Sequence, residues 1–134
     1  MANAMYPLGL KAILDGDVDL LTDNIKVVLL DAGYTYSAAH DFLDDIAGAA
    51  VVATSGNLAS KTTTAGVFDA ADVTFVALTG DDVVAYVVYK DTGSSATSQL
   101  LCYVDTAADT SAILVEPDGT DFTLRWNSAG IFVI

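Results

Sequence analysis

Apolar residues run almost unbroken through four stretches of the chain, 25–30, 83–89, 100–104 and 131–134. A strand with one wet face alternates apolar and polar positions, so these four predict strands covered on both faces. With their flanks they extend over 25–31, 83–90, 99–104 and 131–134. Shorter runs rich in β-branched and aromatic residues predict further strands over 50–54, 58–63, 66–68, 73–78, 112–116 and 122–126. Turn clusters separate them, among them Ser55-Gly56-Asn57, Thr79-Gly80-Asp81-Asp82 and Pro117-Asp118-Gly119. Most of these connections are too short to carry a crossover helix, so sequential strands should be antiparallel.

Helical periodicity is confined to the first third. Pro7 opens a stretch with Leu8, Leu10, Ile13 and Leu14 that closes near Gly16, one or two turns of helix weakened by Gly9. Ser37 reads as the N-cap of a second short helix reaching Ile46, with Phe42 and Ile46 on one face and Asp41, Asp44 and Asp45 toward water. The pattern predicts an all-β fold, an antiparallel β-sandwich or jelly-roll-like barrel with one or two short helices in the N-terminal half. Residues 1–134 should form a single domain. Two short helices can shield only one patch of sheet, so other subunits are expected to cover the rest of the second faces.

Composition reinforces the strands. There are 15 Val and 14 Thr but only seven residues of Lys, Arg, Glu and Gln together, the types that fill exposed helix positions. Acid comes from 17 Asp and the single Glu116, and Asp favours turns because its short side chain bonds to nearby backbone.

Charge and oiliness together then exclude several functions. The chain is 53% hydrophobic yet carries a net charge of -13 with five basic residues. A disordered chain pairs high charge with low hydrophobicity, which this one does not. Five cations cannot neutralise a phosphate backbone, so nucleic acid is excluded as a partner, and an anionic membrane surface with it. No apolar run approaches the roughly 20 residues of a spanning helix, and Met1 to Leu10 lacks the cationic start of a secretory leader. Cys102 lies inside a predicted strand, where a thiol acts as a small buried hydrophobe.

Candidate chemistry is sparse. Asp15, Asp17, Asp19 and Asp23 resemble the opening of a calcium loop, but Leu20 stands where an EF-hand needs Gly and Lys26 where it needs the bidentate Glu. Asp15, Asp17 and Asp19 stay candidates for a looser, shared calcium site beside the simpler reading, a solvated acidic turn. His40 with Asp41 is the sole candidate for acid–base work, and neither Ser37 nor any Thr sits in a nucleophile elbow. Neighbouring acids such as Asp44-Asp45 and Asp81-Asp82 point in different directions. No phosphate-binding glycine loop, dinucleotide fingerprint or His/Cys metal spacing is present, so neither catalysis nor a cofactor is expected. Trp126 with Tyr86, Tyr89 and Tyr103 could form a sugar-binding platform; residues of this kind serve more often as core or interface anchors.

Three N-terminal segments, Tyr6-Pro-Leu-Gly-Leu-Lys11-Ala-Ile-Leu-Asp-Gly16, Ile25-Lys-Val-Val-Leu-Leu-Asp31 and Tyr34-Thr-Tyr-Ser-Ala-Ala-His40-Asp-Phe-Leu-Asp-Asp-Ile46, resemble small virion proteins of tailed bacteriophages. Gly66-Val-Phe-Asp-Ala-Ala-Asp-Val-Thr-Phe75 is similar as well, so the resemblance covers most of the chain. It implies a head decoration (cement) protein, made in the host bacterial cytoplasm and placed on the capsid surface, binding between major capsid protein subunits. It also implies self-association, a homotrimer above all. By the same analogy the arm 1–6 and the loop 91–98 would be contact segments ordered on assembly. Tyr6, Tyr86, Tyr89, Tyr103 and Trp126 are the interface candidates. The alternative is a tail or head-fibre module that recognises a host glycan through the Trp and Tyr set.

Overall fold

The computed structural model describes residues 3–134. In chain order its elements are β1 (Ala4–Met5), α1 (Pro7–Leu14), β2 (Ile25–Leu30), β3 (Val51–Thr54), β4 (Val67–Phe68), β5 (Val73–Phe75), β6 (Ala85–Lys90), β7 (Leu100–Val104), β8 (Phe122–Leu124) and β9 (Phe132–Val133). A five-stranded sheet in the order β1-β7-β6-β2-β3 forms the centre, and β4 with β9 and β5 with β8 form two small ribbons. Every pairing is antiparallel. The all-β expectation therefore holds, with one α-helix. No barrel closes, and the ribbons do not join into a second continuous sheet.

The long apolar strands are buried on both faces, as their pattern requires. Toward one face, Val27 and Leu29 of β2, Val88 of β6 and Cys102 of β7 pack with Phe68, Phe75 and Leu124 of the ribbons and with Leu78, Val83 and Trp126 of the connecting segments. Toward the other, Val28, Leu30, Val87, Tyr89, Leu100 and Tyr103 pack with Tyr6, Tyr34, Ile46 and Ala50. Two bulges keep this sorting intact. Tyr89 pairs with Leu100 and Val88 with Cys102, so Leu101 is an extra residue in β7, and Val52 is the extra residue in β3. Leu101 and Cys102 consequently share one face, as do Val52 and Ala53.

The cover on the second face is the chain's own, which corrects the expectation that other subunits supply it. Residues 31–50 together with Tyr6 bury Val28, Leu30, Val87 and Leu100 to 1% exposure or less within one chain. At about 1.5–3 kcal/mol for each large apolar side chain, this layer belongs to the stability of the monomer.

Several local expectations change with it. Residues 37–46 form no α-helix. Their backbone serves β7 instead: the Leu100 N–H donates to the Asp41 carbonyl at 2.9 Å, and the Leu43 N–H donates to the Ser98 carbonyl at 2.8 Å. Only a 3-10 turn, Leu43–Asp45, remains. The segments 58–63 and 112–116 make isolated bridges, Thr62 with Asp69, Ala112 with Thr106 and Val115 with Val83, in place of strands. Met1 and Ala2 of the expected arm lie outside the described residues, while Ala4 and Met5 pair with Tyr103 and Cys102 and Tyr6 is fully buried. The loop 91–98 is tied by its own hydroxyls, with Ser98 Oγ donating to the Ser94 carbonyl at 2.7 Å and accepting from the Thr92 N–H at 3.1 Å.

The first helix is where the periodicity places it. Pro7 sits in its first turn, and Gly16 at φ +84° ends it. Asp17 N–H returns to the Ala12 carbonyl at 2.9 Å and Gly16 N–H to that of Ile13 at 3.2 Å, which satisfies the free carbonyls of the last turn. Gly9 is needed for packing: a Cβ there would lie 2.0 Å from the Leu100 carbonyl oxygen. Among the described residues no helix is long and apolar enough to cross a membrane.

Candidate interaction surfaces

The aromatic candidates separate onto opposite sides of the sheet. Tyr89 and Tyr103 belong to the second-face cluster, whereas Trp126 belongs to the first and Tyr86 packs against it. No single platform can contain all four. Tyr6, Tyr89, Tyr103 and Trp126 are buried, Tyr86 is half-buried, and desolvation is the first cause of the raised phenol pKa in every one of these tyrosines. Tyr89 and Tyr103 are pushed up to about 12, as is the Cys102 thiol. Four of the five interface candidates thus present little area to a partner in this conformation.

Tyr6 and Tyr103 join a cluster that sequence reading did not anticipate. The Tyr6 and Tyr34 hydroxyls lie 2.8 Å apart, and the Tyr34 hydroxyl lies 2.7 Å from His40 Nδ1. Tyr36 donates its hydroxyl to the Met5 carbonyl at 3.0 Å, and its ring lies 5.0 Å from that of Tyr6 and 5.5 Å from that of Tyr103. His40, the acid–base candidate, is thereby engaged with a tyrosine. The Ser37 hydroxyl serves its own turn, accepting from the Ala39 N–H at 3.2 Å. The only trace of this cluster in the sequence is the spacing of Tyr34, Tyr36 and His40 just after a strand.

The acidic turn is held by backbone and lysine. Asp19 Oδ1 accepts the Leu21 and Thr22 N–H groups at 3.0 and 3.3 Å, and bonds from Thr22 and Leu21 hold this exposed carboxyl below its ordinary range. Asp23 Oδ2 accepts the Asp19 N–H at 2.7 Å and stands 3.2 Å from Lys90 Nζ. Lys90 also donates to the Asp17 carbonyl at 2.7 Å, Lys61 donates to the Asp23 carbonyl, and Lys11 pairs with Asp15. Asp15, Asp17 and Asp19 are not gathered around a common centre; among the described residues no group of three potential ligands is placed to hold a metal ion.

Beside this turn lies an open apolar groove of about 490 Å3, lined by Ile13, Val18, Leu20, Leu21, Phe68 and Ile134, with Asp19 also in its wall. It is built where the end of α1, the turn after it and the β4–β9 ribbon meet. Leu21 and Ile134 in this lining are about half exposed. In sequence these residues cannot be told from core residues, because only the fold decides which apolar positions stay uncovered.

A second cleft, of about 380 Å3, holds Tyr86 and Trp126 with Asn3, Arg125 and Asn127 in its lining. The two rings meet edge to face at 5.7 Å, and the indole N–H donates to the Ala71 carbonyl at 2.9 Å.

No protein-family model and no curated protein matches the chain. Its fold and surface define a small antiparallel β domain with a separate core on each side of one sheet and an open apolar groove at an acidic turn.

Proposed function

We propose that this chain is a structural protein of a tailed-bacteriophage virion, a capsid decoration protein that stabilises the head by binding between major capsid protein subunits. The observation that carries this reading is the open apolar groove with half-exposed Leu21 and Ile134 in its lining, on a chain with net charge -13. The likeness of the N-terminal segments to small virion proteins supports the same assignment, and the sheet with its ribbons suits a sandwich-like cement domain. Buried second faces no longer argue for a homotrimer, since the chain covers them itself. Self-association is therefore read separately from shell binding.

The test is to mix the purified protein with expanded shells of major capsid protein from the phage that encodes it, sediment, and image the pellet. Co-sedimentation, with added density between shell subunits, is expected. Free protein in the supernatant, together with absence from purified virions by mass spectrometry, would overturn the reading.

One observation favours a glycan-binding module of a tail or head fibre: Tyr86 and Trp126 line a single cleft with Asn3, Arg125 and Asn127. Asn3 is committed internally, however, its side-chain oxygen accepting the Asp105 and Thr106 N–H groups at 2.9 and 3.0 Å. Trp126 is 9% exposed, which leaves little ring face for a sugar. Virion copy number separates the two readings: cement protein is present in hundreds of copies and a fibre module in tens.

A further inference from the structure

Resting on the reading of the groove as a docking surface, we infer that its occupant is a segment of a different protein, with an apolar anchor flanked by lysine or arginine. The floor sets the anchor. Ile13, Val18, Leu20, Leu21, Phe68 and Ile134 offer aliphatic and aromatic contact.

The rim sets the flanks. Asp19 stands in the wall and exposed Asp17 belongs to the same turn, whereas Asp15 is paired with Lys11. A second copy of this chain supplies no matching cation. Its five basic residues are already engaged: Lys11 with Asp15, Lys26 with Asp91 at 2.8 Å, Lys61 and Lys90 at the acidic turn itself, and Arg125 beside Asp72 at 4.0 Å. Two copies meeting here would also bring together two chains of charge -13. A cationic segment meets attraction at the same place, and rim charges of this kind act mainly on encounter rate and salt dependence.

The test uses three synthetic peptides that share one Leu-Phe anchor and differ only in their flanks: lysine, serine or glutamate. Binding is read by fluorescence anisotropy and by methyl NMR shifts of Ile13, Leu21 and Ile134. The lysine-flanked peptide should bind about tenfold more tightly than the serine-flanked one at low ionic strength, and the advantage should vanish near 0.5 M salt, roughly where screening shortens to a few ångströms. Leu21→Ser and Ile134→Ser should each weaken it severalfold. Both side chains are half exposed, so these variants should melt near the wild-type temperature. Equal affinity for all three peptides would overturn the inference. Undiminished binding of the lysine peptide to the double variant, with shifts away from the groove, would also overturn it, because general acidity would then explain the attraction. Shell binding with no peptide selectivity would reject the occupant and leave the virion role standing; peptide selectivity with no shell binding would do the reverse.

Discussion

The hydroxyls of Tyr6 and Tyr34 lie 2.8 Å apart although 28 residues separate them in the chain. Tyr6 is fully enclosed and Tyr34 nearly so, and the Tyr34 hydroxyl continues to His40 Nδ1 at 2.7 Å. This contact fastens the N-terminal strand to the layer that covers the second face of the sheet. Tyr34→Phe removes the shared partner and leaves the Tyr6 hydroxyl enclosed without one, which should cost about 1–3 kcal/mol. Urea unfolding measures it. The Tyr6→Phe, Tyr34→Phe double variant should lose less than the two single losses added together, since no orphaned hydroxyl remains.

Gly9 gives a prediction opposite in sign to helix propensity. Exchanging an exposed helical glycine for alanine stabilises by about 1 kcal/mol. At Gly9 the new Cβ would fall 2.0 Å from the Leu100 carbonyl oxygen, a backbone atom that cannot turn aside. Gly9→Ala should therefore destabilise by about 1–3 kcal/mol, as overpacking does, and lower the melting temperature measured by circular dichroism.

Alkali should unfold the protein through its enclosed acids. Burial raises Tyr89, Tyr103 and Cys102 to about 12, above ordinary values of roughly 10 for tyrosine and 8.5 for cysteine. Groups raised in the fold contribute stability that is complete below their unfolded pKa and is lost as pH rises toward the folded one. The urea midpoint should stay level between about pH 7 and 8 and fall between about pH 9 and 12, with tyrosinate absorbance at 295 nm rising in step. A level midpoint up to pH 12 would contradict the burial of these groups.

Asp45 has the opposite sign. Its Oδ2 accepts the Asp41 N–H at 2.8 Å and the Phe42 N–H at 3.4 Å, and these donors hold the carboxyl below its ordinary range. The cap should be present above about pH 4 and weaken as pH falls further. Asp45→Ala should cost about 1 kcal/mol. In hydrogen exchange the Leu43 and Leu100 amides, which bond across this junction, should lose protection first.

The parts of the fold readable in sequence are those set by contiguous chemistry. Strands β2, β6 and β7 are long runs of β-branched and apolar residues, and α1 is marked by Pro7 and Gly16, so each was legible to within a residue or two. The stretch 37–46 was not, because its helical spacing competes with bonds to Gln99, Leu100 and Ser98, far away in the chain. The identity of the cover was hidden for the same reason: Tyr6, Tyr34 and Tyr36 carry no local sign that they meet over Tyr103. Of the candidate surfaces, the acidic turn was visible as a run of Asp, but the lysines that hold it come from 61 and 90. The groove was not visible at all, since Leu21 and Ile134 read like any other apolar residue until the fold leaves them uncovered.

The extra residue at Leu101 makes the central sheet intolerant of slippage. The two faces differ in kind: Val27, Leu29 and Cys102 look toward a largely hydrocarbon core, and Val28, Leu100 and Tyr103 toward one threaded with phenol hydroxyls. Moving β7 by one position would turn Tyr103 away from the Tyr34 and Tyr36 rings it now meets and into hydrocarbon. It would also set aliphatic side chains among hydroxyls that need partners. A misregistered sheet is thus penalised on both sides at once, so a short chain with few charges in its strands still has one arrangement well separated from its near neighbours.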